Sequence, residues 1–172
     1  SIGSEGTGEG QFSNPRNVAV TADGTVYVLD SDNNRVQYFS SAGEYLGMWD
    51  AKDRGGLNQP WGIAVSADKE VFVADTWNHR ILKFSAEGEF LLEWYANDPS
   101  DPTKTLYGPR SIAIDSSGKV YVSDTGNKRI MLYDSQGKFL NKFGISGMAT
   151  GEFDEPGGIA LWKDEILAVA DT

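Results

Sequence analysis

The chain contains no cysteine and a single histidine, His79, among its 172 residues. The first absence excludes a disulfide-stapled scaffold and any thiolate-ligated zinc or iron–sulfur centre. The second excludes, within these residues, a zinc centre built on two or three histidines and a histidine relay of more than one member. Basic residues are also few: 15 Lys and Arg stand against 25 Asp and Glu, giving a formal charge of −10 and a pI near 4.5. This balance argues against a surface that holds nucleic acid or anionic lipid without selectivity, because phosphate affinity rests on Lys and Arg. No apolar run approaches the roughly 18 residues of a membrane span, so no membrane insertion is expected of this segment. Ser1 opens no secretory signal, and the chain reads as a soluble or processed piece. What is present is 40% hydrophobic and 12% aromatic residues with 20 glycines, a composition that builds a core and leaves no case for intrinsic disorder.

Self-similarity organises the chain. Pro15, Pro60, Pro109 and Pro156 are each preceded three positions earlier by Phe12, Leu57, Leu106 or Phe153. Each is followed fifteen positions later by Asp30, Asp75, Asp124 or Asp171. Five residues beyond the first three aspartates stand Arg35, Arg80 and Arg129, with Asn33, Asn78 and Asn127 two before them. The repeat length runs 45, 49 and 47, while the Pro-to-Asp offset is constant. All length variation therefore falls between the Asp–Arg turn and the next proline, and those segments are expected to be loops.

Within each unit short apolar runs are separated by turn chemistry, the pattern of strands, and nothing sustains a helical period. A first strand runs through Val18–Val20, Ile63–Val65, Ile112–Ile114 and Ile159–Leu161, with a small alanine at each centre that suits an inner strand crowded by its neighbours. A second strand covers Val26–Leu29 and its equivalents, a third starts after the Asp–Arg turn, and a fourth ends at Trp49, Trp94 or Phe143. Four short antiparallel strands repeated every 45 to 49 residues predict an all-β propeller of four-stranded blades.

The units resemble NHL repeats, with the pattern apolar-x-x-Pro, Ile/Val-Ala-Val, Val-Tyr-Val-x-Asp and Asn-x-Arg-Ile/Val, and Asn78-His79-Arg80-Ile81 is the fullest match. The resemblance covers essentially the whole chain, and it implies a six-bladed ring of which this chain supplies about three and a half blades. The expected layout is an end strand of a preceding blade at 1–3, blades at 12–49, 57–95 and 106–144, and the first half of a further blade at 153–172. Open blade edges would invite edge-to-edge self-association.

A residue present in every repeat is expected to hold the blade, since a catalytic group is needed once and a structural device in each copy. Asp30 with Arg35, Asp75 with Arg80 and Asp124 with Arg129 are accordingly read as structural ion pairs. The competing reading is a ring of carboxylates around a cation at the channel, since oxygen ligands suit calcium. In an up-and-down blade the turn after the second strand and the link to the next blade emerge on one side. That side carries the irregular residues Arg16, Asn17, Trp61, Trp77, His79, Arg110 and Lys128, the candidate partner-binding set. Packing between blades is the alternative for Trp61 and Trp77, and surface filling for His79. Trp49, Trp94 and Phe143 recur at equivalent positions and read as blade packing. The longest link, 96–107, contains the stiff acidic run Asn97-Asp98-Pro99-Ser100-Asp101-Pro102, a partner-specific finger or a neutral insertion.

These observations favour a non-enzymatic recognition or scaffold module that binds a protein, peptide or glycan, with no cofactor, no resident metal and no catalytic residue expected. Two alternatives follow from the resemblance: a calcium-dependent hydrolase or lactonase-like propeller enzyme, and an RNA-binding NHL domain, which the acidic charge disfavours. Resemblance also points to an extracytoplasmic prokaryotic domain.

Overall fold

The constant Pro-to-Asp offset arises because the two residues face each other across a hairpin: Pro15 is opposite Asp30, Pro109 opposite Asp124 and Pro156 opposite Asp171. The computed structural model describes residues 2–101 and 105–172. Its first blade consists of Pro15–Val20, Val26–Asp30, Arg35–Phe39 and Tyr45–Trp49. The second consists of Gly62–Val65, Val71–Asp75, Arg80–Phe84 and Phe90–Trp94, and the third of Pro109–Ile114, Val120–Asp124, Arg129–Tyr133 and Phe139–Phe143. In each sheet the strands pair antiparallel in chain order. A two-stranded sheet, Pro156–Trp162 with Ile166–Asp171, follows.

Between the second and third strands the chain reverses so that Asp30 opposes Arg35, Asp75 opposes Arg80 and Asp124 opposes Arg129. Closing this turn requires a left-handed residue just before the arginine, and Asn34, His79 and Lys128 take φ values of 52°, 57° and 56° there. Asparagine and histidine tolerate that region better than most residues. The single histidine thus has a backbone reason for its position.

The blades hold together by burying aromatic and branched side chains between their faces. One core joins Tyr27, Leu29, Val36 and Trp49 of the first blade to Ile63, Val71, Val73, Leu82 and Phe84 of the second. A second joins Phe72, Ile81 and Trp94 to Ile112, Val120, Val122, Met131 and Tyr133. Trp49 and Trp94 close the outer ends of these cores, each lying over the glycine turn of the following blade. A Cβ at Gly88 would stand 2.5 Å from Trp49 Cε3, and one at Gly137 would stand 2.7 Å from Trp94 Cδ2. These two tryptophans are packing residues, whereas Phe143, at the equivalent place in the third blade, is exposed.

At the start of the chain the structure differs from the expected end strand over 1–3. Ile2 and Gly3 belong to no strand, Ser1 lies outside the described residues, and the first strand is Ser4–Glu5, paired in parallel with Gln11–Phe12. Ile145–Ser146 pairs with Glu152–Phe153 in the same way, so the two links share one local structure. The physical equivalence is carried by packing: Ile2, thirteen residues before its proline as Phe143 is, sits against the glycine turn at Gly43 as Trp49 sits against Gly88. No helix among the described residues is long and apolar enough to cross a membrane.

Candidate functional site

Each Asp–Arg pair is a buried hub that fixes the loop before its blade. Asp75 accepts from Arg80 Nε at 2.8 Å, from the Asn78 side chain at 2.8 Å and from the backbone N–H of Asn58 at 2.8 Å. Asp30 repeats this with Arg35, Asn33 and Ser13, and Asp124 with Arg129, Asn127 and Tyr107. The guanidinium then reaches outward to loop carbonyls: Arg35 to Thr7, Gly8 and Gln11, and Arg80 to Arg54 and Gly56. Burial pushes the Asp75 and Asp124 carboxyls above the ordinary carboxylate value, against the opposing pull of their donors. Each carboxylate is enclosed by its own blade and its link.

A second repeated device, not anticipated from the sequence, stitches one blade to the next. The hydroxyl following each aspartate donates to the carbonyl of the next blade's anchoring proline: Ser31 to Pro60 at 2.6 Å, Thr76 to Pro109 at 2.8 Å and Thr125 to Pro156 at 2.7 Å. Its signal was present, since every repeat has Ser or Thr at that position, Thr172 included.

These devices hold the links rigid, and from the links project the residues that differ between blades. The position after the anchoring proline holds Arg16, Trp61, Arg110 and Gly157 in turn. Trp61 lies between its two neighbours, with the Arg16 guanidinium carbon 3.8 Å and that of Arg110 4.4 Å from the ring centroid. Gly62 permits this close approach of inner strands, because a Cβ there would stand 2.7 Å from the Arg110 carbonyl oxygen. Beside the stack opens a cleft of about 360 Å³ lined by Trp61, Trp77, Tyr107, Arg110, Lys128, Asp154 and Glu155 together with Thr76, Gly108, Thr125 and Gly126. Trp61 and Arg110 also border a second depression with Arg16, Asn17, Ser111 and Gly158.

Trp77 and Tyr107 are the exposed walls of the cleft, at 50% and 55% accessibility. Space between them exists because the third blade has Gly126 where the second has Trp77, and a Cβ at Gly126 would stand 2.1 Å from Tyr107 Cδ1. Arg110 is ion-paired with Glu155, and Lys128 with Asp154. His79 stands behind the wall: its Nδ1 accepts from the Gly108 N–H at 3.1 Å and its ring lies 5.2 Å from that of Tyr107. Asn17 turns back on its own strand, accepting from the Val18 N–H at 2.8 Å.

The structure therefore brings Trp61, Trp77, Arg110 and Lys128 into one cleft, joins Arg16 and Asn17 to it through Trp61, and gives His79 a supporting place. Sequence reasoning missed Tyr107, Asp154 and Glu155. Their shared signal is position, one or two residues before the Pro or Gly-Pro that starts an inner strand. The described part of the 96–107 link is tied down, with Asp98 buried and held by Lys142 Nζ at 2.6 Å, Ser100 Oγ at 2.7 Å and the Ser100 N–H at 2.9 Å. Burial raises the Asp98 carboxyl, but these donors, Lys142 first, hold it down to about 2. Pro102, Thr103 and Lys104 of this link lie outside the described residues. Among the described residues no three His, Asp or Glu side chains converge to hold a metal ion.

Three complete blades fanned about an axis, with their variable residues on one face, define a β-propeller. NHL repeat sequences match at residues 12–39, 57–84 and 106–130, and the chain belongs to the NHL-repeat β-propellers. It is 45% identical over 49 residues to NHL repeat-containing protein 3 of Mus musculus, a match that spans 28% of this chain and 14% of the mouse protein. Among solved structures it is similar in fold to a streptogramin B lyase, with a TM-score of 0.72 and 18% identity over 93% of this chain and 49% of that one. The virginiamycin B lyase of Staphylococcus aureus gives a TM-score of 0.69 with 17% identity over 92% of this chain and 49% of the lyase. The chain thus spans about half the length of these lyases.

Proposed function

We propose that this chain is a non-enzymatic recognition module, and that its loop face takes a segment of polypeptide into the cleft between Trp77 and Tyr107. The observation that carries this reading is a pair of half-exposed aromatic walls, held on a rigid frame, over a floor of both charge signs. Aromatic anchors supply contact area at low entropic cost, and flanking Arg, Lys, Asp and Glu supply donors and acceptors for amide groups. NHL propellers commonly mediate protein interactions, which agrees. A sugar ring fits less well, because two guanidinium groups already lie over the Trp61 ring and the Tyr107 ring is in contact with His79. A nucleic-acid strand fits less well too, since Asp154 and Glu155 stand in the cleft and the chain carries −10 overall. The likeness to the lyases, at 17% and 18% identity, is a likeness of fold and brings no residue role with it.

The test is retention of the full chain on an array of randomised acetylated pentapeptides, compared with Trp77→Ala and Tyr107→Ala variants shown by circular dichroism to be folded. Retention that falls at least about tenfold in both variants, the loss expected when an anchor residue of an interface is truncated, supports the reading. Equal retention by all three proteins overturns it.

A further inference from the structure

Arg16 differs from the other cations of this face. Arg110 and Lys128 are each committed to a carboxylate, Glu155 and Asp154 respectively, whereas Arg16 has no ion pair among the described residues and is exposed. Its contact is the stack on Trp61, 3.8 Å from the ring centroid. Stacking occupies the flat face of a guanidinium and leaves its in-plane N–H groups open, in the fork geometry that matches a carboxylate through two parallel hydrogen bonds. It also fixes the side chain before any ligand arrives, which lowers the entropy lost on binding.

The charge of the site selects the ligand. Three cations against two carboxylates among the residues lining the cleft and the depression beside it leave one positive charge, and that charge is Arg16. We infer that the Arg16–Trp61–Arg110 stack is a monoanion clamp at the axial end of the cleft, recognising a carboxylate of the bound polypeptide, an acidic side chain placed beside the residue that enters between Trp77 and Tyr107. A phosphate dianion would leave a charge uncompensated and would face Glu155 across Arg110. This inference rests on the polypeptide reading of the cleft and adds its charge specificity.

The test uses the full chain and three arrays of randomised acetylated, amidated pentapeptides whose central residue is fixed as Glu, Gln or Lys, so that the central side chain is the fixed charge. Retention is expected to be about tenfold higher on the Glu array than on the Gln array and lowest on the Lys array. Arg16→Gln is expected to abolish the preference, so that the variant is retained equally on the Glu and Gln arrays, and Arg16→Lys to restore part of it. Equal retention on the Glu and Gln arrays, with loss in Trp77→Ala, overturns the clamp and leaves the cleft standing. Equal retention in every variant overturns both. Displacement of the Glu peptides by inorganic phosphate at tenfold lower concentration than by acetate overturns the assignment to a carboxylate.

Discussion

The hydroxyl of Thr76 donates to the carbonyl of Pro109 at 2.8 Å, across the boundary between the second and third blades. Because Pro109 has no N–H and begins the inner strand of its blade, this bond and the Asp124 contact to the Tyr107 N–H fix both sides of the Gly108–Pro109 corner from which Arg110 projects. Thr76→Val keeps the shape and β-branching and removes the donor, leaving a buried carbonyl without its partner. The expected cost is about 1–3 kcal/mol, and Thr76→Ser should restore most of it. Urea unfolding of the three proteins checks this, with equal midpoints as the result that would count against the stitch.

Removing the carboxylate of Asp75 should be more damaging than removing the hydroxyl of Thr76. Asp75→Ala would leave Arg80 buried without its Nε acceptor and would free the Asn58 N–H and the Asn78 amide together. About 3–5 kcal/mol is expected, the range found when one partner of a buried ion pair is deleted. Thermal unfolding of the two variants, side by side, reads the order directly.

Acid should loosen the Asp98 link, and only at low pH. The Asp98 carboxyl is held down to about 2 by Lys142 and Ser100, below its ordinary value of 3.8. A depressed carboxylate contributes stability that is present above the unfolded value and lost as pH falls toward the folded one. Protection of the Ser100 amide, taken relative to its intrinsic exchange rate at each pH, is therefore expected to fall between about pH 4 and pH 2, and Asp98→Asn should flatten that dependence. A pH-independent difference between the two proteins would contradict the assignment.

Adding one carbon at Gly126 should close the cleft. The new Cβ would stand 2.1 Å from Tyr107 Cδ1, so Gly126→Ala must push the aromatic wall aside or strain the link. A stability loss of about 1–3 kcal/mol is expected from the overpacking, together with loss of retention on the pentapeptide array. Retention at the wild-type level would show that the Tyr107 wall is dispensable.

Much of the architecture was legible because it is written at constant offsets. The Pro-to-Asp distance is the register of the first hairpin, the Asp-to-Arg distance is the turn of the hairpin that follows, and spacings of that kind repeat only if the fold repeats. The candidate face was legible from topology, which put Trp61, Trp77, Arg110 and Lys128 on one side. The Arg16–Trp61–Arg110 stack was not, because it joins residues 45 and 49 positions apart on three different blades, and the sequence alone does not give the angle at which blades meet. Tyr107 was hidden for a related reason. Its place depends on Gly126, and the absence of a side chain in the turn of a blade leaves no mark that points to a residue before that blade's own proline. Ile2 shows a role the sequence did not announce, since it belongs to no strand yet packs against the glycine turn at Gly43.

The position after the anchoring proline reads Arg, Trp, Arg, Gly from blade to blade, and the proline–aspartate spacing around it is the same each time. Substituting one of these residues alters a single side chain at the axis without touching the hydrogen bonds that build the corner. On the proposed polypeptide reading, this face spells its specificity as a short word, one letter per blade, and a new partner is reached by changing a letter while the grammar of prolines, aspartates and hydroxyls stays as it was.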